Sequence, residues 1–138
     1  MTEFLLDTNT LSDVVNYAPG WERIVGKIAL YGQHRCAISA ITWHELSFGR
    51  AFGQGRINKK KLAAMDAAYG VYDVLSFDAP AATEAVAVRI TLAKAGKGIS
   101  FQDMLIAGHA IAAGRIMVTA NVREYSRVAG LTVKNWRT

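Results

Sequence analysis

Residues 4–10 read FLLDTNT: three apolar residues, one acid and three small polar residues. The apolar run is typical of a short strand buried on both faces, and the polar residues that follow favour the start of a helix. Asp7 therefore has two interpretations at this junction. It is either the N-cap of the helix, because aspartate is among the preferred capping residues, or an acid held at the end of a strand for chemistry.

Outward from this stretch, short apolar runs alternate with longer segments of helical period, which predicts an α/β domain with a mainly parallel sheet. The expected strands are residues 4–6, 36–38, 74–77, 116–119 and 132–134. The expected helices are residues 9–17, 21–31, 40–52, 58–69, 79–95 and 101–113, with Asp78 as the cap of the fifth. The 138 residues have the length of one domain, which we assign to residues 1–138.

The composition is that of an ordinary globular protein. Hydrophobic residues make up 51% of the chain and charged residues 20%, which argues against disorder. Since no apolar stretch approaches the roughly 18 residues of a membrane helix, we expect no membrane association and a cytoplasmic location. The single cysteine, Cys36, excludes an internal disulfide and a cysteine-rich zinc site, and we expect it to lie in the core.

The charge is unevenly distributed. The formal net charge is +5. No acid occurs in residues 46–65, where five basic residues accumulate, and Glu124 is the only acid after Asp103. Such runs are either solvated helix faces or patches that contact phosphate, and the charge pattern alone leaves both open.

Three further polar residues have the same ambiguity as Asp7. Glu45 and Asp103 each lie three residues after a hydroxyl residue, Thr42 and Ser100, which is the spacing of a capping box. Asn121 precedes an acid by three residues and is a candidate cap as well. Each residue taken alone has a purely structural explanation.

Position in the sheet favours chemistry. Asp7 and Asn121 directly follow predicted strands, while Glu45 and Asp103 lie in the first two turns of predicted helices. The carboxyl ends of parallel strands meet at one edge of the sheet, where ligands bind in open α/β folds. We therefore expect these four side chains to converge there.

Three acids brought together without lysine or arginine between them repel each other, and a divalent cation relieves that repulsion. Mg²⁺ or Mn²⁺ suits oxygen ligands, whereas zinc is disfavoured because the histidines lack a ligand spacing; we expect each histidine to be partly buried or on the surface. The histidines are His34, His44 and His109. Dinucleotide-binding, Walker A and Gly-x-Ser-x-Gly motifs are absent from the sequence. A metal held by acids in a basic protein fits attack of activated water on a phosphodiester.

Four segments, in this order, carry a family resemblance: LLDTNTLSDVV, ISAITWHELSFG, ISFQDMLIAGHA and MVTANVREYSRVAGLTVKNW. They resemble the PIN-domain ribonucleases, and among these the VapC-type toxins of type II toxin–antitoxin pairs, over nearly the whole chain. The resemblance implies a PIN-like three-layer α/β/α sandwich and an Mg²⁺- or Mn²⁺-dependent endoribonuclease. By position it makes Asp7, Glu45 and Asp103 catalytic metal ligands and Asn121 the fourth catalytic residue. Asparagine where some relatives have an acid removes one charge, which weakens the case for a second tightly held ion.

Other residues receive supporting roles. Thr8, Asn9 and Thr119 fall where such proteins place groups that hydrogen-bond the acids or the metal waters, although ordinary turn chemistry is an alternative. The basic residues expected to hold the RNA backbone are Arg50, Arg56, Lys59 and Arg123.

The resemblance also implies partners. The substrate would be structured RNA, cut in a loop of a transfer or ribosomal RNA. A cognate VapB-type antitoxin would cover the acidic site and bind operator DNA with its other end, and the toxin would form a homodimer. Tyr17, Trp21 and Phe52 are candidates for the antitoxin groove, although burial in the core is the usual fate of large apolar residues and is the interpretation we favour.

Two alternatives remain open. One is a non-catalytic PIN module that binds RNA or protein, for which Asn121 is the only encouragement in the sequence. The other is a PIN nuclease of housekeeping RNA processing.

Overall fold

A computed structural model describes residues 2–96 and 98–138. Five strands form one sheet: β1 (Phe4–Leu6), β2 (Cys36–Ser39), β3 (Asp73–Leu75), β4 (Ile116–Val118) and β5 (Val133–Lys134). Their order is β3-β2-β1-β4-β5, and every pairing is parallel. The carboxyl ends of the strands therefore meet at one edge, with β1 in the centre, as predicted.

Helices cover both faces of this sheet. They are α1 (Thr8–Val15), α2 (Trp21–Tyr31), α3 (Ala40–Phe52), α4 (Lys59–Tyr69), α5 (Ala79–Lys94), α6 (Phe101–Ala113) and the short α7 (Val122–Tyr125), with a 3₁₀ turn at Gln33–Arg35. None of the helices in the described ranges is both long and apolar enough to cross a membrane.

The sheet separates two apolar cores because successive strand residues point to opposite faces. Phe4 and Leu6 of β1 pack with residues of α1 to α4, while Leu5 packs with residues of α5, α6 and α7. The result is the three-layer α/β/α sandwich that was expected. Cys36 is buried in the first core, as predicted, and burial raises the pKa of its thiol to about 11.

The expected element bounds are wrong in a few places. α1 ends at Val15 instead of residue 17, because Tyr17 has a φ of +52°, in the left-handed region that a helix cannot continue through. β3 begins at Asp73 and lies at the edge of the sheet, so that Asp73 and Val74 are exposed rather than buried. β4 ends at Val118, which leaves Thr119 just beyond the strand.

Two close contacts fix the helices against the rest of the fold. Gly108 of α6 lies so near α5 that a Cβ atom there would come within 2.4 Å of the Ala85 backbone. At the carboxyl terminus, the buried Trp136 ring packs against Phe4 at 4.8 Å and stacks on Tyr31 at 5.7 Å between ring centres. The first contact sets the position of the helix that carries Asp103.

Candidate active site

Asp7 follows β1 directly and is almost completely buried. Its N–H donates to the Val118 carbonyl at 3.0 Å, which continues the β1–β4 pairing by one residue. Its Oδ1 accepts from both the backbone N–H of Thr10 at 2.8 Å and the Thr10 hydroxyl at 2.6 Å. The two interpretations of Asp7 are thus compatible, because the residue caps α1 and also stands at the centre of the sheet edge.

The charge on Asp7 is opposed by its surroundings. Burial raises the pKa of Asp7, and hydrogen bonds from Thr10 and Thr119 lower it, while the negative charge of Asp103 raises it further. Asp7 and Asp103 are therefore close enough to interact electrostatically. Within the described part of the chain, neither acid forms an ion pair with a basic side chain.

Glu45 lies in the second turn of α3 and is held by Thr8. The Thr8 hydroxyl donates to Glu45 Oε1 at 2.7 Å, and the Thr42 hydroxyl lies 3.2 Å from Thr8 Oγ1. The cap of α3 is Ser39, whose Oγ accepts from the Ile41 N–H at 3.1 Å. The capping-box interpretation of Thr42 and Glu45 is therefore wrong, and Thr8 has the contact expected of a supporting residue.

Asp103 lies in the first turn of α6, where Ser100 is the cap. Ser100 Oγ accepts from the Asp103 backbone N–H at 3.1 Å, so the capping interpretation of Ser100 is confirmed. The Asp103 side chain is half-buried and takes no part in the hydrogen bonds found among the described residues. Its carboxylate is thus left with rotational freedom that Asp7 and Glu45 lack.

Thr119 and Asn121 follow β4. Thr119 is buried, its hydroxyl lowers the pKa of Asp7, and it accepts from the Asn121 N–H at 3.1 Å. Asn121 precedes α7, but its side chain makes no capping hydrogen bond, so its interpretation as a side-chain cap is wrong. Its amide is left available at the sheet edge beside the acids.

Asn9, in contrast, is exposed and makes no side-chain hydrogen bond in residues 2–96 or 98–138. The expected support from Asn9 is supplied by Thr10, which the sequence analysis did not single out. The signal was present, because a capping acid bonds the amide three residues later.

His109 is a second residue that the sequence analysis missed. It is buried on α6, and its Nδ1 lies 2.8 Å from Ser39 Oγ, while the Phe77 ring meets its imidazole edge-on at 5.4 Å. Burial lowers the pKa of His109. The expectation of a partly buried or surface position is wrong for His109 and confirmed for the exposed His34 and His44.

The residues of the site fit a hydrated hard cation, which keeps several of its waters, better than a cation enclosed entirely by protein ligands. No three acidic, histidine or cysteine side chains in the described ranges lie close enough together to hold one ion, so the expected convergence is realised only in part. The structure couples Asp7 to Asp103 and holds Glu45 on the Thr8 side. Mg²⁺ is commonly bound through one or two carboxylates and keeps several waters, which matches such a pair.

A buried hydroxyl also lacks a partner here. Tyr125 Oη on α7 has no hydrogen-bond partner among residues 2–96 and 98–138, and the charges of Asp103, Asp7 and Glu124 all raise the pKa of this hydroxyl. Orphaned buried polar atoms are rare in folded proteins and indicate a missing ligand or water. The unpaired hydroxyl therefore supports the binding of a ligand or water beside these acids.

The expected RNA-contacting residues differ in availability. Arg50 donates to both Asp66 carboxylate oxygens, at 2.9 and 3.2 Å, and to Gln54 at 2.8 Å. The Arg56 guanidinium lies 4.3 Å from the centre of the Phe52 ring. Lys59 and Arg123 are exposed at the starts of α4 and α7. Of these four basic residues, Arg50 is therefore the one whose charge is already neutralised, by its ion pair with Asp66.

A groove runs from the acidic site between α1, α3 and α4. Its inner part, about 260 Å³, is lined by residues that include Thr8, Glu45 and Lys61, and its outer part, about 330 Å³, includes Tyr17 and Lys61. Tyr17 and Phe52 are 69% and 57% exposed, so their assignment to the core is wrong. Trp21 is half-buried, with its ring against Tyr17 at 5.0 Å.

Comparison with known proteins agrees with the fold. The PIN domain family matches residues 4–131. Two relatives, both named tRNA(fMet)-specific endonuclease VapC, come from Shigella flexneri and Salmonella typhimurium. They are 35% and 33% identical to this chain, and each alignment covers 99% of both proteins. The crystal structure of DNA-bound VapBC from Salmonella typhimurium superposes with a TM-score of 0.82 at 33% identity, covering 99% of both chains. VapBC2 from Rickettsia felis, bound to a DNA fragment from its promoter, superposes with a TM-score of 0.82 at 26% identity, covering 98% of this chain and 99% of that one.

Proposed function

Because the chain belongs to the PIN-domain family, we propose that it is a metal-dependent endoribonuclease and the toxin of a VapBC-type toxin–antitoxin pair. The relatives named as VapC nucleases support the activity. The structural observation that carries the proposal is the Asp7–Asp103 pair, two interacting acids at the edge of a parallel sheet where Asp7 follows the central strand.

Mg²⁺ or Mn²⁺, when bound, would lower the pKa of a bound water and neutralise charge on the phosphoryl oxygens. Asp7 and Asp103 would hold the ion directly. Glu45, which is held in place by the Thr8 hydroxyl, would act from the Thr8 side of the site. Hydrogen bonds from Thr10 lower the pKa of Asp7 against the larger effect of burial and so favour the ionised form that ligation requires. The Asn121 amide, free of capping duty, would orient water or phosphate without adding a charge.

The substrate we propose is structured RNA cut in a loop, and transfer RNA is the first to test because two relatives carry that specificity in their names. Arg56, Lys59 and Arg123 are the exposed cations of the expected set and would contact phosphates around the acidic site. Without that basic surround, the acids would repel their own polyanionic substrate.

The partner we propose is a VapB-type antitoxin. The two solved structures compared above are VapBC complexes bound to DNA, so operator DNA would be contacted through the antitoxin. The groove that leads from Glu45 to the exposed Tyr17 provides a path for an antitoxin segment to reach the site. A homodimer through the exposed apolar side chains of α5 and α6, which include Val86, Ile90 and Phe101, remains part of the proposal.

The direct test is cleavage of total transfer RNA with Mg²⁺ or Mn²⁺. We expect cleavage by the wild type, and cleavage no greater than with EDTA for Asp7→Asn and Asp103→Asn, since each removes a ligand charge. Glu22→Gln, an equivalent change at an exposed acid of α2, should cleave as the wild type does.

Two results would favour the alternatives. RNA binding without cleavage by the wild type would indicate a non-catalytic module. Cleavage by a protein that does not arrest growth when expressed alone would indicate housekeeping RNA processing.

A further inference from the structure

The acids of the site are each paired with a hydroxyl, with one exception. Thr10 donates to Asp7 at 2.6 Å, and Thr8 donates to Glu45 at 2.7 Å. Such donors fix the orientation of a ligating carboxylate and are as much a part of a metal site as the ligands themselves. Asp103 has no such donor among the hydrogen bonds of the described residues, since only its backbone N–H is bonded, to Ser100.

An unused hydroxyl lies on the neighbouring helix. Tyr125 is completely buried on α7, and its ring packs in the same apolar core as Ala107 of α6 and Leu5 of β1. Its Oη has no hydrogen-bond partner, although a buried hydroxyl without one is unfavourable. The ring is therefore well placed by packing while its polar atom is left unsatisfied.

The charges of three acids raise the pKa of that hydroxyl: Asp103, Asp7 and Glu124. Asp103 precedes Ala107 by one helical turn, so it lies on the face of α6 that shares a core with Tyr125. Oδ1 of Asp7 already accepts two hydrogen bonds from Thr10, whereas the Asp103 carboxylate accepts none among the described residues. Glu124 is the preceding residue of the same helix, and adjacent helical residues do not face each other. Asp103 remains, and its charge raises the pKa of Tyr125 more than the charge of Asp7 or of Glu124 does.

We propose that Tyr125 is the positioning residue of Asp103, with its hydroxyl donating a hydrogen bond to the Asp103 carboxylate when that carboxylate turns to ligate the ion. One oxygen of the Asp103 carboxylate would then be free to bind the ion, while the other accepts a hydrogen bond from Tyr125. The Thr10 and Thr8 hydroxyls donate to Asp7 and Glu45 in the same way. The inference rests on the proposed metal-dependent function. Burial and the nearby acids keep the phenol protonated at physiological pH, so it acts as a donor.

The test is Mn²⁺ binding, measured by calorimetry on the intact protein without RNA. Tyr125→Phe should bind Mn²⁺ about 10–100-fold more weakly than the wild type, the usual effect of removing a hydrogen-bond partner of a ligand. Its unfolding temperature without metal should be no lower than that of the wild type, because the lost hydroxyl has no partner there. Tyr72→Phe is the matched control, since Tyr72 lies at the opposite end of the sheet, just before β3, and near Cys36; its Mn²⁺ affinity should be unchanged.

A double-variant cycle separates positioning from packing. In an Asp103→Asn background, the added Tyr125→Phe change should weaken Mn²⁺ binding little further, because the carboxylate it positions is gone. Wild-type affinity in Tyr125→Phe, together with loss of binding in Asp103→Asn, would overturn the inference and leave the proposed function intact. Failure of the wild type to bind Mn²⁺ would overturn the metal-dependent function and the inference with it.

Discussion

His109 Nδ1 lies 2.8 Å from Ser39 Oγ, and this buried contact joins the helix that carries Asp103 to the cap of the helix that carries Glu45. One hydrogen bond in the protein interior thus links the two helices that carry these acids. Because the Ser39 hydroxyl also accepts from the Ile41 N–H, the start of α3 and the position of α6 depend on the same oxygen atom.

The His109 contact makes the protein sensitive to mild acid. Burial, opposed by the charge of Asp78 and reinforced by that of Arg115, lowers the folded-state pKa of His109 below its ordinary value of 6.5. As the pH falls below about 6.5, the unfolded chain binds a proton that the folded protein does not, so the free energy of unfolding falls by up to about 1.4 kcal/mol per pH unit. Urea unfolding of the wild type between pH 5 and 8 should show this decline, and His109→Asn should lack that component. His44→Asn, at an exposed site, should keep it; equal pH slopes for the wild type and His109→Asn would contradict the prediction.

Asp7→Asn should abolish cleavage and yet stabilise the metal-free protein. The pKa of Asp7 is raised above the ordinary value of 3.8, chiefly by burial. As the pH rises from that value through the folded-state pKa, the unfolded chain loses its proton first and the free energy of unfolding falls, so above the folded-state pKa the wild type carries the whole penalty. The asparagine oxygen still accepts from Thr10 and carries no charge. We expect a higher unfolding temperature for the variant in EDTA and a loss of the stabilisation that Mg²⁺ gives the wild type. A lower unfolding temperature in EDTA would contradict this account.

Thr10→Val should shift the pH dependence of cleavage upward. The Thr10 hydroxyl, 2.6 Å from Asp7 Oδ1, lowers the pKa of that acid, and its loss raises the pKa further. The acid limb of the pH–rate profile would then move to higher pH, because the ligating form must be ionised. Thr83→Val removes a hydroxyl that bonds only a helix carbonyl at 3.0 Å, and it should leave the profile unchanged. An unshifted profile in Thr10→Val would show that Thr10 does not tune Asp7.

Gly108→Ala should destabilise the fold by about 1–3 kcal/mol, because the new methyl would press on the Ala85 backbone, 2.4 Å away, and force α6 from α5. Gly26→Ala, in the interior of α2 with open space around it, should instead stabilise by roughly 0.5–1 kcal/mol. Equilibrium denaturation of both variants checks the pair. Equal effects of the two changes would show that α5 and α6 are not in close contact.

The exposed basic residues should differ in their effect on RNA binding. Arg56→Gln and Arg123→Gln, made in a non-cleaving Asp7→Asn background, should each weaken RNA binding and reduce the salt dependence of the affinity by about one charge. Arg50→Gln should change both much less, because its guanidinium is already paired with Asp66. Filter binding at several salt concentrations measures this, and an Arg50 effect equal to that of Arg56 would show that the ion pair opens for RNA.

Much of the site could be predicted because it depends on local order in the chain. A buried strand followed by an acid and a helix places Asp7, and parallel pairing places Asn121 beside it, without knowledge of any packing angle. The hydroxyl donors divide into two groups. Thr10 lies three residues from Asp7 and follows from capping geometry, whereas Thr8 meets Glu45 across 37 residues and was proposed only through the family resemblance.

What could not be predicted depends on how the helices pack. The direction of the Tyr125 hydroxyl follows from the packing of α7 against α6, and the His109–Ser39 contact spans 70 residues. Tyr17 and Phe52 were assigned to the core on the usual behaviour of large apolar residues, but the fold leaves both exposed, with Tyr17 lining the outer part of the groove. Neither the periodicity nor the spacing of apolar residues distinguishes a side chain that stays exposed at the surface from one that packs in the core.

The central position of β1 makes the acidic site a late product of protein synthesis. Asp7 is translated more than 100 residues before Val118, which holds its N–H, and β4 begins only at Ile116. A nascent chain that already contains Asp7, Glu45 and Asp103 still lacks the strand that brings them together. The order of elements along the chain therefore delays assembly of the site until β4 has been translated, and a product that terminates before β4 lacks the strand that holds Asp7.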